Sequence, residues 1–419
     1  MKKRVWIGAA LAAGVALSAI GIAKSKNVAV KSADLMEGIQ QNKVHPDVDI
    51  AGNGAVVLSD FGVRLLQNTI EKEQNILISP LSIICALGMT ANGAKGQTLE
   101  QMEQVFGIGR EELNSYLYAY VQALPKGKNY KLLAANSIWL KDDPKFTVRQ
   151  EFLQSNADWY GAGVYKQVFD DTAAEKINGW VEEHTDGMIS EILSQVPDDA
   201  IMYLVNALAF DAEWETIYKE SQIHSGVFTA EDGTEQDVEM MYSTEKQYLE
   251  DERAVGFIKY YADKKYAFAA LLPKEGVTVE EYVETLDGER LRAVLENRTE
   301  VDVNAAIPKF QCEYGVELAE VFQRLGMTDA FDSRIADFSE MGSYKDYNIF
   351  ISRILHKTFI AVDEKGTRAG AATAVEMARG LSLREEKMVH LDRPFVYLLI
   401  DCEADVPVFM GTVMGIGEN

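Results

Sequence analysis

The stretch from Glu364 to Met377 constrains this chain more than any other. A strand-like run, Thr358 to Val362, leads into it, and Gly366 interrupts that run. The residues then alternate. Thr367, Ala369, Ala371, Thr373, Val375 and Met377 are small or apolar and would share one face of an extended chain. Arg368, Gly370, Ala372, Ala374 and Glu376 would share the other, and the charges lie there. A period of two is the mark of a half-buried strand. Yet alanine and glycine, which make up much of the segment, are depleted in ordinary strands. A segment with the alternation of a strand and so little bulk is suited to slipping into a sheet against low steric resistance.

The chain around it is long enough, at 419 residues, to bury a large core. A formal net charge of −24 argues against a nucleic-acid backbone or an anionic membrane surface as partner and reads as solubility. Lys2, Lys3 and Arg4 precede an apolar run from Val5 to Ala23. Residues 1–23 therefore read as an export signal or, being about long enough to span a bilayer, as an uncleaved membrane anchor. Residues 24–54 are polar and irregular and read as a linker, with one domain from 55 to 419. Cys85, Cys312 and Cys402 are odd in number and lack paired spacings, which argues against a disulfide framework in an exported protein. Cys85 and Cys402 sit in apolar runs and read as packing residues.

From about residue 55 to 130 the pattern is mainly helical. Val56 to Asn68 carries apolar residues at helical spacing. Ser79-Pro80 opens an apolar helix to Ala91, with serine as cap and proline in the first helical position. Thr172 to Glu175 has the form of a capping box ahead of a helix that stops near Gly187. Strand signals then dominate: Met202 to Phe210, Tyr266 to Leu272, the alternating Val301, Val303, Ala305 and Ile307, then Phe395 to Ile400 and Val408 to Val413. Helices and strands mixed without regular alternation indicate an α+β fold.

Enzyme and ligand motifs do not assemble. The five histidines, His45, His184, His224, His356 and His390, lack metal-ligand spacing, and no Gly-x-Ser-x-Gly elbow occurs. Gly93 to Thr98 follows a helix rather than a strand, so it fails the context of a phosphate loop. No cofactor is called for.

In order along the chain, several segments resemble the serpin family, from about Phe61 to the C-terminus. These are Asn75 to Ile83 with Gly93 to Thr98, Ala135 to Trp139, Ile177 to Gly187, Val205 to Phe210 with Trp214, Ile307 to Phe310, His356-Lys357 and Leu391 to Phe395. The resemblance implies three β-sheets and eight or nine helices in one metastable domain. It also implies that Glu364, Gly366, Thr367, Ala369, Gly370, Ala371, Ala372 and Thr373 form the hinge of a reactive-centre loop. A serine or cysteine protease attacks such a loop and becomes attached as an acyl-enzyme. The loop then inserts into the central sheet before water releases the protease. By the same resemblance Ser79, Ser82, Asn206 and His356 form a "shutter" in mid-sheet, and Trp214, Lys309 and Glu364 form the "breach" where the loop enters. Ile217-Tyr218 stands where the family commonly has Pro-Phe. Arg368 replaces a more usual glutamate, on the outward face by alternation.

Three bonds compete as the bait. Arg379-Gly380 suits a trypsin-like enzyme, and Met377-Ala378 an elastase-like or subtilisin-like one. The family's usual spacing from Glu364 lands on Gly380-Leu381. The expected function is an exported, monomeric suicide inhibitor of a serine protease, from a bacterial exporter. The alternative is a non-inhibitory serpin that binds or carries a ligand. The small hinge residues favour the inhibitor.

Overall fold

The apolar run that begins at Met202 becomes the strand Met202–Glu213, buried along nearly all its length at the centre of a seven-stranded sheet. The structure is a computed structural model that describes residues 32–197, 200–367 and 386–416. From one edge the sheet runs Ala33–Asp34, Gly163–Gln167, Tyr130–Lys141, Met202–Glu213, Gly366–Thr367, Arg353–Val362 and Phe310–Glu317. Met202–Glu213 and Arg353–Val362 also pair directly and in parallel, from Tyr203 opposite Arg353 to Ala209 opposite Phe359. Beyond Phe359 they diverge, and Gly366–Thr367 fills the gap, antiparallel to both.

Alternation sorts this sheet's residues onto two faces. One face carries Ile138, Leu204 and Leu208 into the main core, against helix Pro80–Ala91, all twelve residues of which are buried. The other carries Trp139, Tyr203 and Val205 against Ile177 and Val181 of helix Ala173–His184. A nine-stranded sheet built around Tyr266–Pro273, Phe395–Asp401 and Val406–Val413 forms the far wall of the main core. Phe210 joins the two sheets, with ring centroids 5.1 Å from Tyr261, 5.4 Å from Tyr266 and 6.5 Å from Phe409. A two-stranded sheet, Phe146–Val148 with Gly342–Tyr344, completes the set. Nine α-helices occur among the described residues, so the α+β expectation holds.

Local signals fared unevenly. Ser79 caps its helix as expected, its hydroxyl accepting from the Ser82 amide. Thr172 does not. Its hydroxyl donates to Asp170 at 2.7 Å and its amide to the same carboxylate at 3.0 Å, so no capping box forms with Glu175. A carboxylate two residues back is the better acceptor and takes both donors. Residues 32–52, assigned by composition to a linker, are tied to the domain. Ala33–Asp34 lengthens the sheet, the Asn42 amide donates to Asp158, and Leu35, Ile39, Val48 and Ile50 rest on the core.

Replacing Phe210 with alanine removes the ring that links the two sheets. It should lower the thermal midpoint by about 5 °C, measured by calorimetry, as expected for a buried aromatic in a chain of this size.

Candidate functional site: the polar seam and the seated hinge

Asn206 and His356 face each other in register across the parallel pair. Both are buried, at 0 % and 1 % exposure. Polar side chains so placed must find partners within the protein. The His356 Nδ1–H donates to Asn206 Oδ1, and His356 Nε2 accepts from the Ser79 amide at 3.1 Å. Asn206 Nδ2 donates to Ser82 Oγ and to Asn136 Oδ1, the latter at 2.5 Å. Ser82 Oγ donates to Asn136 Oδ1 at 3.0 Å, and Ser79 Oγ to the Val408 carbonyl at 2.9 Å. The four residues assigned to the shutter are therefore brought together. One network binds three strands of the sheet to the start of helix Pro80–Ala91 and to the second sheet.

Asn136 belongs to the same network and was not assigned to it from sequence. Its signal was an asparagine inside an otherwise apolar strand, opposite Asn206. Thr358, two residues beyond His356 on the same face, donates to the Leu77 carbonyl at 2.6 Å.

Burial pushes the His356 pKa down to about 3. The neutral ring suits its surroundings, because Nε2 must stay bare to accept the Ser79 amide.

At the top of the seam the chain reverses after Val362. Asp363 Oδ1 accepts from the amides of Lys365, at 2.8 Å, and Gly366, at 3.1 Å. This is an Asx-type turn. It feeds Gly366–Thr367 into the gap. A Cβ on Gly366 would lie 2.0 Å from the Ala212 carbonyl oxygen, so only glycine fits. Thr367 is fully buried, and its hydroxyl meets that of Tyr261 at 2.6 Å. The first inward residue of the alternating segment is thus already a strand residue.

The reversing backbone is held from one side. Trp214 Nε1 donates to the Asp363 carbonyl at 2.9 Å and the Trp214 amide to the Lys365 carbonyl at 2.8 Å. The Tyr218 amide donates to the Glu364 carbonyl at 2.9 Å, so Ile217-Tyr218 preserves the turn despite departing from the family pattern. Lys309 Nζ lies 3.0 Å from Glu364 and 3.0 Å from Glu239. Partial burial pushes the Lys309 ammonium down, but its two carboxylate partners outweigh that and leave its pKa raised. A hydrogen bond from its own amide, then Lys309, keeps the Glu364 carboxyl below its ordinary range.

Beneath Trp214 lies a second cation that the sequence did not announce. Lys259 is buried, 2.9 Å from Glu245, with Nζ 4.4 Å from the Tyr218 ring centre and 5.3 Å from that of Trp214. Burial pushes its pKa down, and the adjacent Glu245 carboxylate more than reverses this. Removing either partner would strand a buried charge. Ala369, Gly370, Ala371, Ala372 and Thr373, and the bait candidates Met377, Ala378, Arg379, Gly380 and Leu381, lie outside the described residues.

A family model described as Serpin (serine protease inhibitor) matches residues 57–416. The chain belongs to the serpin family. A serpin-like protein of Thermococcus kodakarensis is 31% identical to this serpin over 85% of this chain and 84% of its own. Human leukocyte elastase inhibitor is 31% identical over 80% of this chain and 92% of its own. Among solved structures, the native state of the thermophilic serpin tengpin superposes with a TM-score of 0.89. It is 44% identical and covers 92% of this serpin and all of the tengpin chain. The latent state of tengpin gives 0.77 at 40% identity, over 90% of this serpin and all of its own chain.

Two outcomes test the site. As pH falls below about 6.5, unfolded chains take up a proton on His356 that the native form does not accept until about pH 3. This residue's contribution to native stability is therefore complete above about pH 6.5 and lost across that window. The thermal midpoint should drop by about 3 °C between pH 7 and pH 4.5 from this residue alone, and His356→Gln should flatten that part of the slope. Gly366→Ala should drive residues 366–367 out of the gap, read as faster hydrogen exchange at the Thr367 amide with protection at Asn206 retained.

Proposed function

We propose that this serpin is an exported inhibitor that traps a serine protease as a covalent acyl-enzyme. The seating of Thr367 carries the reading. The loop's first inward residue already occupies the position that insertion requires, while the strands beyond it remain paired. Continuing the alternation would point Ala369, Ala371 and Thr373 at the same inner face, and none has bulk to oppose passage between the strands. A cleaved loop can then exchange the direct pairing for a fully hydrogen-bonded extra strand. Insertion would outrun deacylation because little side-chain volume must be accommodated. Export rests on Lys2, Lys3 and Arg4 ahead of the apolar run from Val5 to Ala23. The bait is one of Arg379-Gly380, Met377-Ala378 or Gly380-Leu381.

Incubating the protein with trypsin-like, elastase-like and subtilisin-like enzymes and running denaturing gels tests this reading. At least one enzyme should give an adduct of protease plus inhibitor size that survives denaturant, and the mass of the released C-terminal peptide should identify the bait bond. Clean cleavage without adduct by every enzyme would overturn it. Thr367→Arg places a charge at a fully buried position, so it should be cleaved at an undiminished rate with adduct yield reduced at least tenfold.

A further inference from the structure

The segment that holds the reversing hinge has an anchor of its own. Three successive hinge carbonyls, those of Asp363, Glu364 and Lys365, accept from Trp214 Nε1, the Tyr218 amide and the Trp214 amide at 2.9, 2.9 and 2.8 Å. All three donors lie at the two ends of residues 214–218. Glu215, Thr216 and Ile217 between them belong to no helix or strand, and none is buried. Where the donors sit therefore depends on how the ends are held. Trp214 is held by a bridge to Tyr261 and by stacking on its ring, with centroids 4.4 Å apart. Tyr218 lies in no strand. The family's Pro-Phe pair would fix one backbone torsion at position 217 through the proline ring, and Ile217 leaves that torsion unfixed.

Lys259 meets this segment from beneath. Its Nζ lies 4.4 Å from the centre of the Tyr218 ring, 5.3 Å from that of Trp214 and 3.5 Å from the Thr216 carbonyl oxygen. The ammonium thus reaches both ends of the segment and its middle. Glu245 faces it at 2.9 Å. Ser243 Oγ donates to Glu245 at 2.7 Å and lies 3.3 Å from the Tyr218 hydroxyl. The contacts close a ring from Lys259 through Glu245 and Ser243 to Tyr218 and back. A cation over an aromatic face is attracted to it, more strongly when both are dry. A buried ion pair is nonetheless a poor source of stability, because apolar residues of similar volume often do as well or better. What the pair supplies here is geometry: a point charge with three donors ties a ring and a carbonyl to strand Ala254–Tyr260.

We infer that Lys259 is a positioning residue for the hinge, placing the Trp214 and Tyr218 donors against the 363–365 carbonyls and so setting the share of cleaved loops that insert before the protease is released. The second half of this statement rests on the inhibitory mechanism proposed above; the first half does not. The effect passes through Tyr218 and Trp214. If their donors shift, Gly366 and Thr367 lose their firm seat. A strand restarted from a loose end must fix backbone before bonds repay the entropy, and that delay favours release.

The test is the double variant Lys259→Met/Glu245→Gln, which removes both charges together and leaves neither partner stranded. Hydrogen exchange should be about tenfold faster at the Thr367 amide and unchanged at Asn206, and the thermal midpoint should not fall. With a protease that forms the adduct, the ratio of released cleaved inhibitor to adduct, per loop cleaved, should rise about fivefold. Tyr218→Leu keeps the amide donor and removes the ring over the ammonium, so it should speed Thr367 exchange in the same direction. Thr367 exchange unchanged in both variants overturns the inference. So does a rise shared equally by Thr367 and Asn206 with a lowered midpoint, which would mark a pair that only stabilises the fold. Faster Thr367 exchange with an unchanged ratio overturns the control over insertion. Absence of any adduct from the unsubstituted protein would instead sink the inhibitor reading, and the exchange result would still decide the positioning role.

Discussion

The hydrogen bond from His356 to Asn206 is the constraint on which the rest of this structure depends. It spans two parallel strands that have no covalent link near that point. Around it Ser79, Ser82 and the Asn136 side-chain carbonyl find partners within one network. Buried polar networks of this kind stabilise when complete and penalise any half-open state, because each orphaned group keeps its full desolvation cost. The sheet is closed around the network, and under the proposed mechanism a sheet opened by a full new strand would be the other good state, with poor ones between. Such bistability would suit a trap: it holds the central strands together without making their parting impossible.

Above that network the chain reverses. The Asp363 turn, the Trp214 and Tyr218 hydrogen bonds and the Lys309–Glu364 pair fix the chain where it reverses, while Gly366 lets it pass against the Ala212 carbonyl. The contacts differ in strength. The Lys309–Glu364 pair is partly exposed and contributes under about 1 kcal/mol. The buried Lys259–Glu245 pair is costlier to disturb, since losing one partner leaves the other charged and dry. Trp214 couples the two, holding the reversing backbone on one side and covering the Lys259 ammonium on the other.

Much of this was legible in the residues, for identifiable reasons. Period-two alternation marked the hinge face, and Thr367 is buried where alternation places it. Met202 to Phe210 read as a buried strand because it lacks a polar face, and the serpin resemblance assigned Asn206 to the seam. Asn136 escaped because a single asparagine has an ordinary local explanation, and only the register across from Asn206 gives it a role. The Lys259–Glu245 pair escaped for the same reason, its members meeting only after the sheet forms. At Thr172 the local motif was present and a nearer acceptor won. Residues 32–52 were assigned by composition, which cannot report that two residues will extend a sheet edge.

Thr367 has one further consequence. Starting a strand is slow because backbone must be fixed before any hydrogen bonds repay the entropy, whereas lengthening one fixes a residue for each bond gained. With Gly366 already opposite Glu213, and Thr367 opposite Ala212 and Val362, insertion of the loop would be elongation from an existing end. Its pace would then be set by a zipper, each step displacing one pair of the facing strands, with the Asn206–His356 pair the tightest tooth in the row.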